Sequence, residues 1–127
     1  MKRGLQIILL ILSLIPLYFA VTGVTGGAAG MNGGDAVSNE LDNQFRYLSA
    51  FYLVLTFLIW FIVRDIENYT GIFRIIVFAI FLGGLTRLYC YLHVGIPPQT
   101  MVGGMFLELG APILAFWQHK VAHSAPR

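Results

Sequence analysis

The chain has 127 residues, of which 57% are hydrophobic and only 11% charged. A soluble domain carries roughly 25% charged residues, so this composition excludes an ordinary soluble fold and indicates a membrane protein. Eight Lys and Arg against six Asp and Glu give a net charge of +2, without a basic block interleaved with aromatics, which excludes nucleic acid as a partner.

The first apolar run, about residues 5–25, has the length of a membrane-spanning helix. A secretory signal peptide cleaved near Gly27-Ala28-Ala29 is the rival reading, and the stretch is long for a signal core. Pro16 predicts a kink. A glycine-rich outer loop over 26–39 follows, with turn signals at Asn32-Gly33 and Gly34-Asp35, and it is expected to be the most mobile segment. Gly23 and Gly27 have the spacing of a helix-packing motif, but flexibility explains glycines in such a stretch better.

Ser38 or Asn39 caps the second span, about 41–63, with Glu40 and Asp42 in its first turn. The polar connection Arg64–Gly71 makes the second and third spans antiparallel neighbours. The third span covers about 72–94 and ends before Gly95-Ile96-Pro97-Pro98, which cannot continue a helix. The fourth covers about 100–118, and a short polar tail over 119–127 is expected to fray. The sequence thus predicts an all-α fold, a four-transmembrane-helix antiparallel up-and-down bundle forming a single integral membrane domain over 1–127. Cys90, in an apolar run, reads as a small core residue, and one cysteine excludes an internal disulfide.

Orientation follows from the charges. With the amino terminus inside, Lys2, Arg3, Arg64, Arg74, Lys120 and Arg127 all face the cytoplasm, whereas the opposite loops carry Asp35, Glu40 and Asp42. Both termini are therefore expected to be cytoplasmic.

Arg46 and Arg87 lie inside spans. Taking about 1.5 Å per residue, Arg46, Arg87 and Glu108 lie roughly 8, 10 and 12 Å below one surface. Charges at such depth face the interior and pair, so Glu108 is expected to bridge Arg87 or both arginines. Two arginines against one glutamate leave one surplus positive charge, which Glu40, Asp42, Asn43 or a bound anion would offset. Tyr91 is one turn from Arg87 and offers a hydroxyl. Pro112 has no N–H, which predicts a kink and a freed Glu108 carbonyl beside the carboxylate. The candidate ligand-binding residues are Asn43, Arg46, Arg87, Tyr91 and Glu108, with Glu40, Tyr47, His93 and Pro112 secondary. A zinc site from His93, Glu40 and Glu108 has no supporting ligand spacing, and no metal or other cofactor is expected. His119 and His123 read as solvated tail residues.

There is no phosphate-cradling glycine loop, nucleophile elbow or metalloprotease helix, so no enzymatic activity is expected. Three functions remain. One is a protein whose Arg/Glu centre holds a membrane lipid or a small anionic or amphiphilic ligand. Another is a proton- or ion-coupled transporter using Glu108, which would need a homo-oligomer. The third is an assembly subunit whose charges act as helix-packing glue.

Leu41-Asp42-Asn43-Gln44-Phe45-Arg46-Tyr47, Phe81-Leu82-Gly83-Gly84-Leu85-Thr86-Arg87, Gly95-Ile96-Pro97 and Leu107-Glu108-Leu109-Gly110-Ala111-Pro112, in that order and spacing, resemble the bacterial domain-of-unknown-function family 4345. The resemblance implies a small four-helix protein of the inner (cytoplasmic) membrane, with Asn43, Arg46, Arg87, Pro97 and Glu108 as motif positions. One branch, the AciT-type proteins, implies a role in the envelope permeability barrier and antibiotic tolerance. Gln44 stands where an acidic residue is often found in such proteins, so this helix supplies no second buried acid at that point.

Overall fold

A computed structural model describes residues 1–124, and every regular element among them is helical. The elements are α1 (Lys2–Met31), α2 (Asn39–Ile62), a 3-10 turn (Val63–Asn68), α3 (Thr70–His93), α4 (Gln99–Leu109) and α5 (Pro112–Ser124). Four helical stretches are long and apolar enough to cross a membrane: Lys2–Met31, Asn39–Asn68, Thr70–His93, and Gln99–Ser124, which comprises α4 and α5. Contacts group the chain into two compact units, Gln6–Arg64 and Met1–Leu5 with Asp65–Arg127.

In the first unit, α1 and α2 run antiparallel. The Gln6 side-chain amide donates to the carbonyls of Val63 (2.8 Å) and Arg64 (3.2 Å). Further along, Trp60 Nε1 donates to Ser13 Oγ (2.9 Å), and the rings of Phe19 and Tyr52 lie 6.0 Å apart. A methyl group added at Gly23 would collide with Ser49, so α2 sits where a side chain would otherwise be. Partner numbers fall on α2 as they rise on α1. Among the buried positions of α1, Leu9, Ser13, Pro16, Ala20, Gly23 and Gly27 recur at three- and four-residue steps and so form one stripe. Small residues dominate its later half, which is how helices approach closely without a hydrophobic drive from lipid.

In the second unit, α3 runs antiparallel to the α4–α5 stretch. Thr70 lies beside Gln118 and Gly84 beside Leu109. Phe73, Ile76 and Val77 are buried on α3. Near the chain start Lys2 pairs with Glu67 at 2.7 Å, and Gly4 lies under the Trp117 ring. Gln118 is fully buried (0% exposed) because its amide nitrogen is spent twice, on the Ile66 carbonyl (2.9 Å) and Thr70 Oγ1 (2.8 Å). Many large apolar side chains on all four stretches, such as Ile75, Phe78, Leu107 and Ile113, are exposed, as lipid-facing residues are.

Several expectations are corrected. The first span does not stop near residue 25; α1 runs to Met31 through a break at Gly27, so the connection shrinks to about residues 32–38. Pro16 lies inside α1 and the backbone around it stays helical. Gly23 and Gly27 serve close packing rather than flexibility, for α2 side chains occupy the space beside both. The expected frayed tail is helical to Ser124, held by buried Gln118 and Val121. Residues 125–127, including the charge counted at Arg127, lie outside the described residues. Cys90 is exposed, not core.

Candidate functional site

Ser38 starts α2 by accepting the Leu41 N–H (3.2 Å), as expected, and Glu40 and Asp42 follow in the first turn. Four residues after Asp42, one helical turn on, comes Arg46. Arg46 Nε donates to Asp42 Oδ2 at 2.8 Å. Both side chains then reach α1 where its backbone breaks.

Gly27 has φ 68° and ψ −170°, a conformation open to glycine and costly for other residues. An added methyl group there would also strike Asp42 and Arg46. The break removes the bond from the Ala28 N–H to the Val24 carbonyl, leaving a donor and an acceptor to be satisfied in an apolar setting. Asp42 Oδ1 takes the Ala28 N–H at 2.9 Å. Arg46 Nη1 gives hydrogen bonds to the carbonyls of Val24 (2.6 Å) and Thr25 (3.3 Å). The acid thus meets the start of the new helical segment and the base meets the end of the old one, the polarity that backbone dipoles favour. This pair stitches the broken helix with an ion pair borrowed from its neighbour.

The second centre is Arg87 with Glu108. Arg87 Nε donates to Glu108 Oε1 at 3.2 Å, and Oε2 is also 3.2 Å from Nε without hydrogen-bond geometry. Gly84 permits the approach: a methyl group there would lie 3.0 Å from Glu108 Cβ and 3.1 Å from the Leu109 nitrogen. Arg87 is 31% and Glu108 26% exposed in their side chains, so the pair is sheltered yet reachable. Its bonding is far from complete. A guanidinium has five N–H donors and a carboxylate about four acceptor positions. Among the described residues, the two Nη groups of Arg87 give no hydrogen bond, and Glu108 Oε2 is buried without one.

The three charges expected to meet take part in two ion pairs. Arg87 and Glu108 come together, while Arg46 bonds to Asp42 and to α1. Asp42 supplies the charge that offsets Arg46, so the expected surplus of positive charge disappears. Tyr91 is partly buried but its hydroxyl has no hydrogen bond among the described residues, so it is not a partner of Arg87. Glu40 and Asn43 are exposed. Tyr47 is exposed with its ring edge-on to Phe51, and exposed His93 stacks on Tyr89 at 4.5 Å. Pro112 begins α5, and the Glu108 carbonyl is not freed: the chain tightens and the Ala111 N–H takes it at 3.2 Å. Among the described residues no group of three His, Cys, Asp or Glu is gathered to hold a metal ion. His119 and His123 stack at 4.0 Å on α5, with His123 Nδ1 2.8 Å from the His119 carbonyl oxygen.

Sequence reasoning named Asp42 among the groups that would offset the positive charge, without singling out its pairing with Arg46, and it missed Gln118. Asp42 was legible as the i, i+4 partner of Arg46, a spacing that favours pairing. Gln118 as a buried clamp gave no signal, since a single glutamine near a chain end has no pattern.

The fold and these two pairs define an all-helical protein with four helices long and apolar enough to span a membrane, carrying charge pairs within them. The chain belongs to the family described as Domain of unknown function (DUF4345), whose match covers residues 4–119. No curated protein and no solved structure matches it.

Proposed function

We propose that this is a non-enzymatic, multi-pass protein of the bacterial inner membrane, with both termini cytoplasmic, that supports the envelope permeability barrier by holding a lipid or small amphiphile at Arg87 and Glu108. The observation that carries the reading is the unfinished bonding of that pair. Four N–H donors on the Arg87 Nη groups and the Glu108 Oε2 acceptor have no hydrogen bond among the described residues. Ionisable groups inside a span face the bundle interior, pair, and mark ligand or ion paths. The resemblance to the AciT-type branch supports the link to permeability and antibiotic tolerance, and the positive charges at one end of the spans support the orientation. Arg46 takes a different part in this reading: its donors hold the α1 break, and it positions the helix hairpin rather than the ligand.

Native mass spectrometry of the purified protein tests the proposal. A lipid or amphiphile should co-purify with the wild type and be lost from Arg87→Ala. Absence of any such species from the wild type overturns it. In cells, Arg87→Ala should fail to restore antibiotic exclusion where the wild-type protein does.

The stitched break favours one further reading, in which the charges serve assembly alone. It differs in one outcome: Arg87→Ala and Glu108→Gln would then lower stability and leave permeability unchanged in whatever protein remains folded. Ion-coupled transport through Glu108 differs again, for proteoliposome flux would fall in Glu108→Gln.

A further inference from the structure

The two halves of the unfinished pair ask for opposite things. Arg87 has spare donors and so asks for an acceptor with negative charge, for which phosphate is the best fit to a guanidinium edge. Glu108 has acceptor positions beyond the one that Arg87 Nε fills, on a side chain that is 26% exposed, and so asks for a donor with positive charge. The pair itself sums to zero charge. A purely anionic ligand would satisfy Arg87 and face the Glu108 carboxylate; a purely cationic one would satisfy Glu108 and face Arg87. Either would leave one net charge at depth, which is costly.

Resting on the reading above, we infer that the ligand at Arg87 and Glu108 is a zwitterionic phosphate ester carrying a primary ammonium, the phosphoethanolamine headgroup, held with phosphate on Arg87 and ammonium on Glu108. A quaternary ammonium has the same charge and no N–H to give, so it satisfies Arg87 and leaves Glu108 unmet. Gly83 lies alongside the carboxylate: an added methyl group there would sit 3.7 Å from Glu108 Oε2, at ordinary contact. Depth and surroundings favour a lipid as the source. Arg87 is six residues before the end of α3 at His93, about 9 Å along the axis, within reach of an interfacial phosphate for a long side chain that extends toward the surface. Leu82, Leu85, Phe106 and Leu107 nearby in the chain are exposed and apolar, a surface for acyl chains.

The test is native mass spectrometry of the full-length protein, delipidated and then offered phosphatidylethanolamine, phosphatidylcholine and phosphatidylglycerol with matched acyl chains. The ethanolamine lipid should be retained over both others by on the order of tenfold, the effect of one charge-assisted hydrogen bond. Glu108→Gln keeps the shape of the side chain and should abolish the preference for ethanolamine over choline while some phosphate-dependent binding persists; Arg87→Lys should weaken retention of all three. Equal retention of choline and ethanolamine lipids, or preference for the glycerol lipid, overturns the headgroup assignment; the lipid-binding reading survives that result if Arg87→Ala still abolishes binding. Retention of none of the three overturns the headgroup assignment, and if the wild type as purified also carries no amphiphile, the broader reading falls with it. In a competition arm, displacement of the bound lipid by soluble phosphoethanolamine supports the same chemistry supplied as the free ester, and failure to displace supports the lipid.

Discussion

The first and fourth membrane-length stretches are both interrupted, and they close the gap by different means. At Gly27 the orphaned Ala28 N–H and Val24 carbonyl are satisfied by Asp42 and Arg46 from α2. At Gly110–Ala111 the backbone closes on itself: the Ala111 N–H turns to the Glu108 carbonyl and the Ile113 N–H to the Gly110 carbonyl, both three residues back. In an apolar medium a break must be satisfied from within the protein. A break closed by side chains depends on a second helix and on the identity of two residues. A break closed by a tightened turn depends on neither, and it leaves the adjacent Glu108 side chain at liberty to meet Arg87.

Substitutions can break this contrast or sharpen it. Gly27→Val should do the most damage, about 3 kcal/mol or more, because it combines a left-handed backbone with a collision against the ion pair; thermal unfolding followed by circular dichroism checks it. Reversing the first pair, Asp42→Arg with Arg46→Asp, should also be severely destabilising even though opposite charges remain adjacent. It would present a guanidinium to an N–H and a carboxylate to carbonyls. Unfolding temperatures of this double variant near wild type would disprove the stitch. Arg46→Met alone should cost less, a fall of roughly 4–8 °C in the unfolding temperature.

The same reversal at the second pair is the instructive control. Arg87 and Glu108 side chains have no backbone partner among their hydrogen bonds, so exchanging them should recover much of what either single change loses. Glu108→Ala alone leaves a half-sheltered guanidinium without its partner and should cost about 1–3 kcal/mol. Pro112→Ala should have the smallest effect, within about 1 kcal/mol, since the turn before it is already satisfied by its own N–H groups. A large loss there would mean that the proline, and not the tightened turn, holds the fourth stretch in shape.

Residue patterns carried the architecture further than the site. Four apolar runs of spanning length and a proline pair after His93 were enough for the four stretches. Depth counting was enough to pair Arg87 with Glu108, because a charge far from both ends of an apolar run has few places to go. Gly27 failed for a definite reason. Glycine is equally at home in a loop and at a tight helix contact, and only the arrival of Asp42 and Arg46 decides which. Arg46 misled for the same reason: besides Asp42, its partners are a backbone carbonyl pair created by a break that no local pattern announces. Gln118 and Gln6 show the general limit, since their amides cap carbonyls more than fifty positions away.

The stitch at Gly27 also bears on how the chain enters its membrane. Asp42 follows Ala28 by 14 positions and Arg46 follows Val24 by 22, so the first span is synthesised before the groups that complete it exist. Left alone in hydrocarbon, that segment would hold a bare donor and a bare acceptor near one end. The translocation machinery should therefore release the first two spans into lipid together, as a preassembled hairpin.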